Sequence, residues 1–118
     1  MTTPNTFHRD LTEFISDPTP ATFNRLLRLL STLTITMPIQ CDTADLVHVR
    51  SARCAMATIR DRWERVGTMA ITSLDALTLR AAAPFIAEAF GRTRLDVFSF
   101  ANALVLHKME QEGVVFSD

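Results

Sequence analysis

The sequence predicts an all-α protein: one domain, residues 1–118, folded as a compact orthogonal bundle of five or six helices with a helix-turn-helix-like corner. Three observations predict it. Apolar residues recur at spacings of three and four along most of the chain. Helix-start signals precede these stripes at Thr19-Pro20, Asp42-Thr43, Thr72-Ser73 and Thr93. Stop residues, Pro18 and Gly67, follow two of them.

Taken in order, Asn5 or Thr6 caps a first helix whose inner face is Phe7, Leu11, Phe14 and Ile15, and Pro18 ends it. Thr19 caps the second helix with Pro20 at its first position. Phe23, Leu26, Leu27 and Leu30 form its stripe, and Arg25 and Arg28 face away. From Ser31 to Met37 the pattern changes. Leu33, Ile35 and Met37 alternate with Thr32, Thr34 and Thr36, as in a strand. A lone strand has nothing to pair with. The expected form is a fraying helix end that runs into an extended linker closed by Pro38; a strand contributed to a dimer is the other reading. Residues 1–38 thus make an N-terminal helical pair with a linker, and 42–113 a helical core.

Asp42-Thr43-Ala44-Asp45 starts a helix that runs to about Val66 and stops at Gly67. Val49, Ala52, Met56, Ile59, Trp63 and Val66 form its inner face, with Arg50, Arg53, Arg60 and Glu64 opposite. Asp61 and Arg65 are spaced for an i,i+4 pair. Thr72-Ser73-Leu74-Asp75 opens the next helix, expected to turn Leu74, Leu77 and Ala81 inward and to break before Pro84. A short helix then leads to a turn at Gly91. Thr93 caps a last helix, about 94–112, apolar nearly all round and expected at the centre of the bundle. The likeness of residues 72–79 to 93–100 follows from a shared capping rule rather than a repeat.

Composition narrows the function. Hydrophobic residues make up 47% of the chain and charged residues 21%, a globular balance. The net charge of −1 is not that of a strongly basic nucleic-acid binder, although a local basic patch is compatible with it. Eleven of the twelve basic residues are Arg, which suits phosphate and carboxylate recognition and also follows from a GC-rich genome. No apolar run reaches a membrane span, and Met1-Thr2-Thr3-Pro4-Asn5 does not begin a signal peptide, so a cytoplasmic protein is expected. Cys41 and Cys54 are expected to be reduced thiols without redox or zinc spacing. There is no phosphate loop, zinc pattern or nucleophile elbow, and no cofactor, catalytic residue or small-molecule substrate is expected. His48 reads as a satisfied core histidine, and His107 sits near a helix C-terminus where a partial positive charge is favoured.

Two constellations remain. Ala87, Gly91 and Val97 meet the needs of a helix-turn-helix: a small residue for close packing, a turn glycine and an apolar lock. Arg92, Thr93 and Arg94 would then stand at the DNA-facing end of the last helix. The opposing reading is a plain packing corner, because Leu95, Phe98 and Leu106 suit protein contact better than a groove. Arg50, Arg53 and Arg60 could track a phosphate backbone, or form a solvated face ion-paired with Glu64 and Asp61.

Arg53 to Gly67, followed by Leu74-Asp75-Ala76-Leu77-Thr78-Leu79 and by Leu95-Asp96-Val97-Phe98-Ser99-Phe100, resembles the central part of the FlhD family of flagellar transcriptional activators over residues 46–100. The resemblance implies an all-helical dimer that acts with a second, different protein on promoter DNA. The sequence therefore leads to a non-catalytic transcription regulator, as a homodimer or with an obligate protein partner. The alternative is a helical interaction module, such as a secretion chaperone or a viral or phage adaptor, that binds a partner in an apolar groove.

Overall fold

Thr19 starts the helix on which the fold depends. Its Oγ1 accepts the Thr22 backbone N–H at 3.1 Å, and its own backbone N–H donates to Thr22 Oγ1 at 2.9 Å. This reciprocal cap opens a helix of 20 residues, Pro20–Ile39. The computed structural model describes residues 4–39, 46–92 and 95–114, and these form five helices with no strand among them. They are α1 (Pro4–Ser16), α2 (Pro20–Ile39), α3 (Leu46–Val66), α4 (Ser73–Arg92) and α5 (Leu95–Gln111).

The all-α expectation holds, and the 31–37 linker does not. This segment is the second half of α2. Thr32, Thr34 and Thr36 each donate their hydroxyl to the carbonyl four residues back, at 2.8, 2.9 and 2.8 Å. Bonded in this way, the threonines enter a buried helix without an unmet donor, so the alternating pattern carries no strand. Thr32, Leu33 and Thr36 are fully enclosed.

α2 also takes the central place expected of the last helix. It packs on α1, α3 and α5, while α4 packs on α1 and α3. The result is a ring of four helices, α1, α2, α3 and α4, with α5 laid outside α2. Leu26, Leu29, Leu30 and Leu33 of α2 fill the ring with Phe7 and Phe14 of α1, Met56 and Ile59 of α3, and Ile86 of α4. Phe90 of α4 lies 5.6 Å from Phe7 and 5.7 Å from Phe98 of α5, centroid to centroid. α5 itself buries only one side, Phe98, Ala101, Val105 and Met109, and leaves Phe100 62% exposed. Its apolar circumference therefore does not mean central burial.

Local starts and stops follow the sequence more closely. α1 begins at Pro4, ahead of the expected caps, and ends before Pro18. α3 stops at Gly67, whose φ of 87° falls in the left-handed region and whose N–H reaches the Trp63 carbonyl at 2.7 Å. The start expected at 42–45 lies outside the described residues. Val66, expected inside, is exposed at the end of α3.

α4 departs most. It is continuous through Pro84, so the chain has five helices rather than six among the described residues. Leu79, Ala82, Ala83, Ile86, Ala89 and Phe90 are buried on both sides of the proline, and this unbroken face offsets the backbone bond that proline removes. Leu74, Leu77 and Ala81, expected inside, all face solvent. The register is set instead by Asp75, which is buried. Its carboxylate accepts the Thr72 N–H at 3.0 Å and the Arg62 guanidinium, while Thr72 Oγ1 accepts the Asp75 N–H at 3.1 Å. Gly91 lies inside α4 and is not the turn.

A second buried carboxylate belongs to Asp10, only 3% exposed. Burial pushes its carboxyl upward against the opposing pull of Arg9 at 3.5 Å and of Arg28. Arg28, expected to face away, is half-buried, and burial lowers its guanidinium below the usual value. Because the folded Asp10 binds its proton more tightly than the unfolded chain, its contribution is present at low pH and is lost as pH rises through the folded value. Asp10→Asn is expected to remove that loss. A series of urea titrations from acid to neutral pH checks this: the difference between wild type and variant should change across the range above the ordinary carboxylate value and be flat below it.

Candidate functional site

The three arginines of α3 come together over a groove. Arg50, Arg53 and Arg60 lie at i, i+3 and i+10, on one side of the helix. With Cys54 and Ala57 of α3 and Phe23 and Leu27 of α2 they line a depression of ≈ 390 Å³. A second depression of ≈ 310 Å³ continues it, sharing Leu27, Arg53 and Arg60 and adding Thr34 and Ile35 of α2 with Val105, Lys108 and Met109 of α5 and Glu112 just beyond it. The two form one trough along the outer face of α2, walled by α3 and α5.

Its chemistry is mixed. Leu27, Ile35, Ala57, Val105 and Met109 give an apolar floor. Arg50, Arg53, Arg60 and Lys108 give a basic rim, with Glu112 at one end. Arg53 is held over the floor by a long contact from its Nη1 to Thr34 Oγ1, 3.4 Å. Among the described residues no carboxylate lies within ion-pair distance of Arg50, Arg53 or Arg60. The ion-paired face with Glu64 and Asp61 therefore does not form. Asp61 and Arg65, spaced for a pair, are likewise exposed without joining one.

The other sequence candidates are placed elsewhere. Arg92, at the end of α4, binds Glu88 at 2.8 Å and is not part of the trough. Thr93 and Arg94 lie outside the described residues. Of the six arginine and threonine candidates the structure thus brings three together. Cys54 is an exposed thiol on the trough wall, and Cys41 lies outside the described residues. His48, expected to be a satisfied core histidine, is only half-buried and stacks on Phe85 at 3.9 Å with the rings 4° from parallel. His107 is exposed on α5.

Sequence reasoning misses the floor and the far wall. Periodicity alone sends Leu27 to the core and turns residues 31–37 into a linker, which leaves no α2 to serve as a floor. Val105, Lys108 and Met109 join the site only because α5 docks on α2. The one usable signal is Lys108, the sole lysine of the chain.

No protein-family model, curated protein or solved structure matches this chain. Among the described residues no group of three His, Cys, Asp or Glu could hold a metal ion, and no helix is long and apolar enough to cross a membrane.

Proposed function

We propose that the protein is a non-catalytic interaction module that receives an acidic amphipathic helix of a partner protein in the trough over α2. The observation that carries this reading is the apolar floor bordered by three arginines without carboxylate partners. An inserted helix would bury its apolar stripe on Leu27, Ile35, Val105 and Met109. Its flanking Glu or Asp side chains would meet Arg50, Arg53 and Arg60, which are exposed and ready to form bidentate pairs. Rim charges of this kind steer association and make it dependent on salt.

A fluorescent Leu/Glu amphipathic model helix tests the reading by anisotropy. Binding is expected, weakening as salt is added. The double reversal Arg53→Glu with Arg60→Glu should weaken it at least about tenfold, or about 1.4 kcal/mol. Undiminished binding by the reversed protein would remove the trough from consideration.

The second reading is the DNA-binding regulator, alone or as one component of a larger activator, favoured by the same arginines. They span about 15 Å at 1.5 Å of rise per residue, far enough to meet successive phosphates. In that reading Arg92, Thr93 and Arg94 add contacts at the α4–α5 corner. A random duplex titrated with salt separates the two readings. Steeply salt-dependent duplex binding, with a slope reduced by about one for each arginine removed, would favour the regulator. Failure to bind duplex alongside binding of the acidic helix would leave the interaction module.

A further inference from the structure

A cleft of ≈ 320 Å³ lies between α1 and α4 and shares no residue with the trough. One face of α1 lines it, with His8, Leu11, Thr12, Ile15 and Ser16 at i, i+3, i+4, i+7 and i+8. From α4 come Arg80, Ala83 and Pro84, at i, i+3 and i+4. Burial sorts these side chains by depth. Leu11 and Ala83 are buried and Ile15 is half-buried, so the bottom of the cleft is apolar. His8, Thr12, Ser16 and Arg80 are exposed at its mouth. Pro84, exposed beside them, adds an apolar ring and no N–H.

The fold does not use the polar groups at the mouth. Among the described residues, His8, Thr12, Ser16 and Arg80 have no hydrogen-bond or ion-pair partner. The carboxylates of α1 are turned elsewhere: Asp10 is enclosed, and Glu13 meets Arg25 of α2 at 3.4 Å. No acidic residue lines the cleft. What remains is a small apolar hollow with one permanent cation, two hydroxyls and an imidazole around its opening.

We propose that this cleft binds a small apolar monocarboxylate, such as a short-chain fatty acid. The planar fork of the Arg80 guanidinium matches a carboxylate through two parallel N–H bonds. The hydroxyls of Thr12 and Ser16 donate to its remaining lone pairs. The tail rests on Leu11, Ile15 and Ala83. The volume is at the low end for small-ligand sites, about 300–1,000 Å³, which suits a ligand of a few carbons and leaves no room for a helix. Phosphate fits poorly, because its second charge meets no second permanent cation and its oxygens would lie over an apolar floor. A ligand held by both α1 and α4 also stabilises the fold as its concentration rises. None of this depends on what the trough binds.

Hexanoate, titrated into the full chain at constant ionic strength and followed by amide chemical shifts, gives the test. Saturable shifts are expected in the low millimolar range, centred on residues 8–16 of α1 and 80–84 of α4. Urea unfolding midpoints should rise in step. Hexanamide, which keeps the tail and lacks the charge, should bind much more weakly, and inorganic phosphate should leave the cleft unchanged. Arg80→Gln should weaken hexanoate at least about tenfold, the usual cost of a charge-assisted bond. Arg80 is exposed and makes no contact that the fold needs, and the shift map of the wild type decides the site even without a variant. Shifts that climb without saturating would overturn the proposal. So would hexanamide binding as tightly as hexanoate, Arg80→Gln binding as the wild type does, or shifts that centre on the α3 arginines of the trough instead.

Discussion

Replacing Leu33 by alanine is expected to lower the stability of the protein by about 2–5 kcal/mol, the usual cost of emptying a leucine site in a packed core. Leu33 is fully buried in the cluster shared by α1, α2, α3 and α4. Ile35→Ala, two residues on, should cost well under half as much, because Ile35 is 36% exposed at the edge of the trough. The contrast is diagnostic. In an extended segment, residues 33 and 35 would share a face and respond alike; on a helix they stand about 200° apart. Urea unfolding reads the difference directly, with the Leu33→Ala midpoint falling by roughly 1–2 M at an ordinary m-value. Equal, small effects at the two positions would mean that α2 ends before residue 33.

Asp75→Ala is the second large effect, expected at about 2–4 kcal/mol, between the loss of a helix cap and the breaking of a buried ion pair. The alanine removes the acceptor of the Thr72 N–H and leaves the Arg62 guanidinium, 24% exposed, with the Ala70 carbonyl at 2.9 Å. Arg62→Ala made in the Asp75→Ala background should then cost much less than in the wild type, since the two act as a pair. The pH dependence has a definite sign. Burial alone would raise the Asp75 carboxyl, but hydrogen bonds from Thr72 and Arg62 outweigh it and hold the group below the usual carboxylate value. Its stabilising contribution is therefore present above the unfolded value and is lost as pH falls through the folded one. Asp10 acts in the opposite sense. Stability relative to the Asp75→Ala variant should thus fall on acidification, and stability relative to Asp10→Asn should fall as pH rises. A pH-independent difference for Asp75→Ala would show that its carboxylate is not paired in the fold.

The proposed trough shows how far a local reading reaches. Arg50, Arg53 and Arg60 are legible as a stripe because one helix carries all three, and helical periodicity is a property of the chain alone. Whether they are ion-paired is not legible, because Glu64 and Asp61 are close in sequence and the side chains do not meet. The corner expected at Gly91 is misplaced for a related reason. Glycine permits a left-handed turn without requiring one, and here the buried face of Ala89 and Phe90 carries the helix on to Arg92.

By itself the sequence determined the helical class, the start of α2 at Thr19-Pro20, the stop of α3 at Gly67 and the inner faces of α1 and of most of α3. These depend on interactions within one or two turns: a hydroxyl on a nearby N–H, a proline without a donor, apolar side chains at one angular position. Only the tertiary structure decided which helix is central, which side of α4 is buried, and that threonines 32, 34 and 36 belong to a helix. α5 is as apolar as a core helix yet rests on the outside of α2, because burial depends on what surrounds a helix. Leu74 and Leu77 are as apolar as Leu79 and Ile86. The Arg62–Asp75 contact, thirteen residues apart in sequence, rotates α4 so that the first pair faces solvent and the second faces the core.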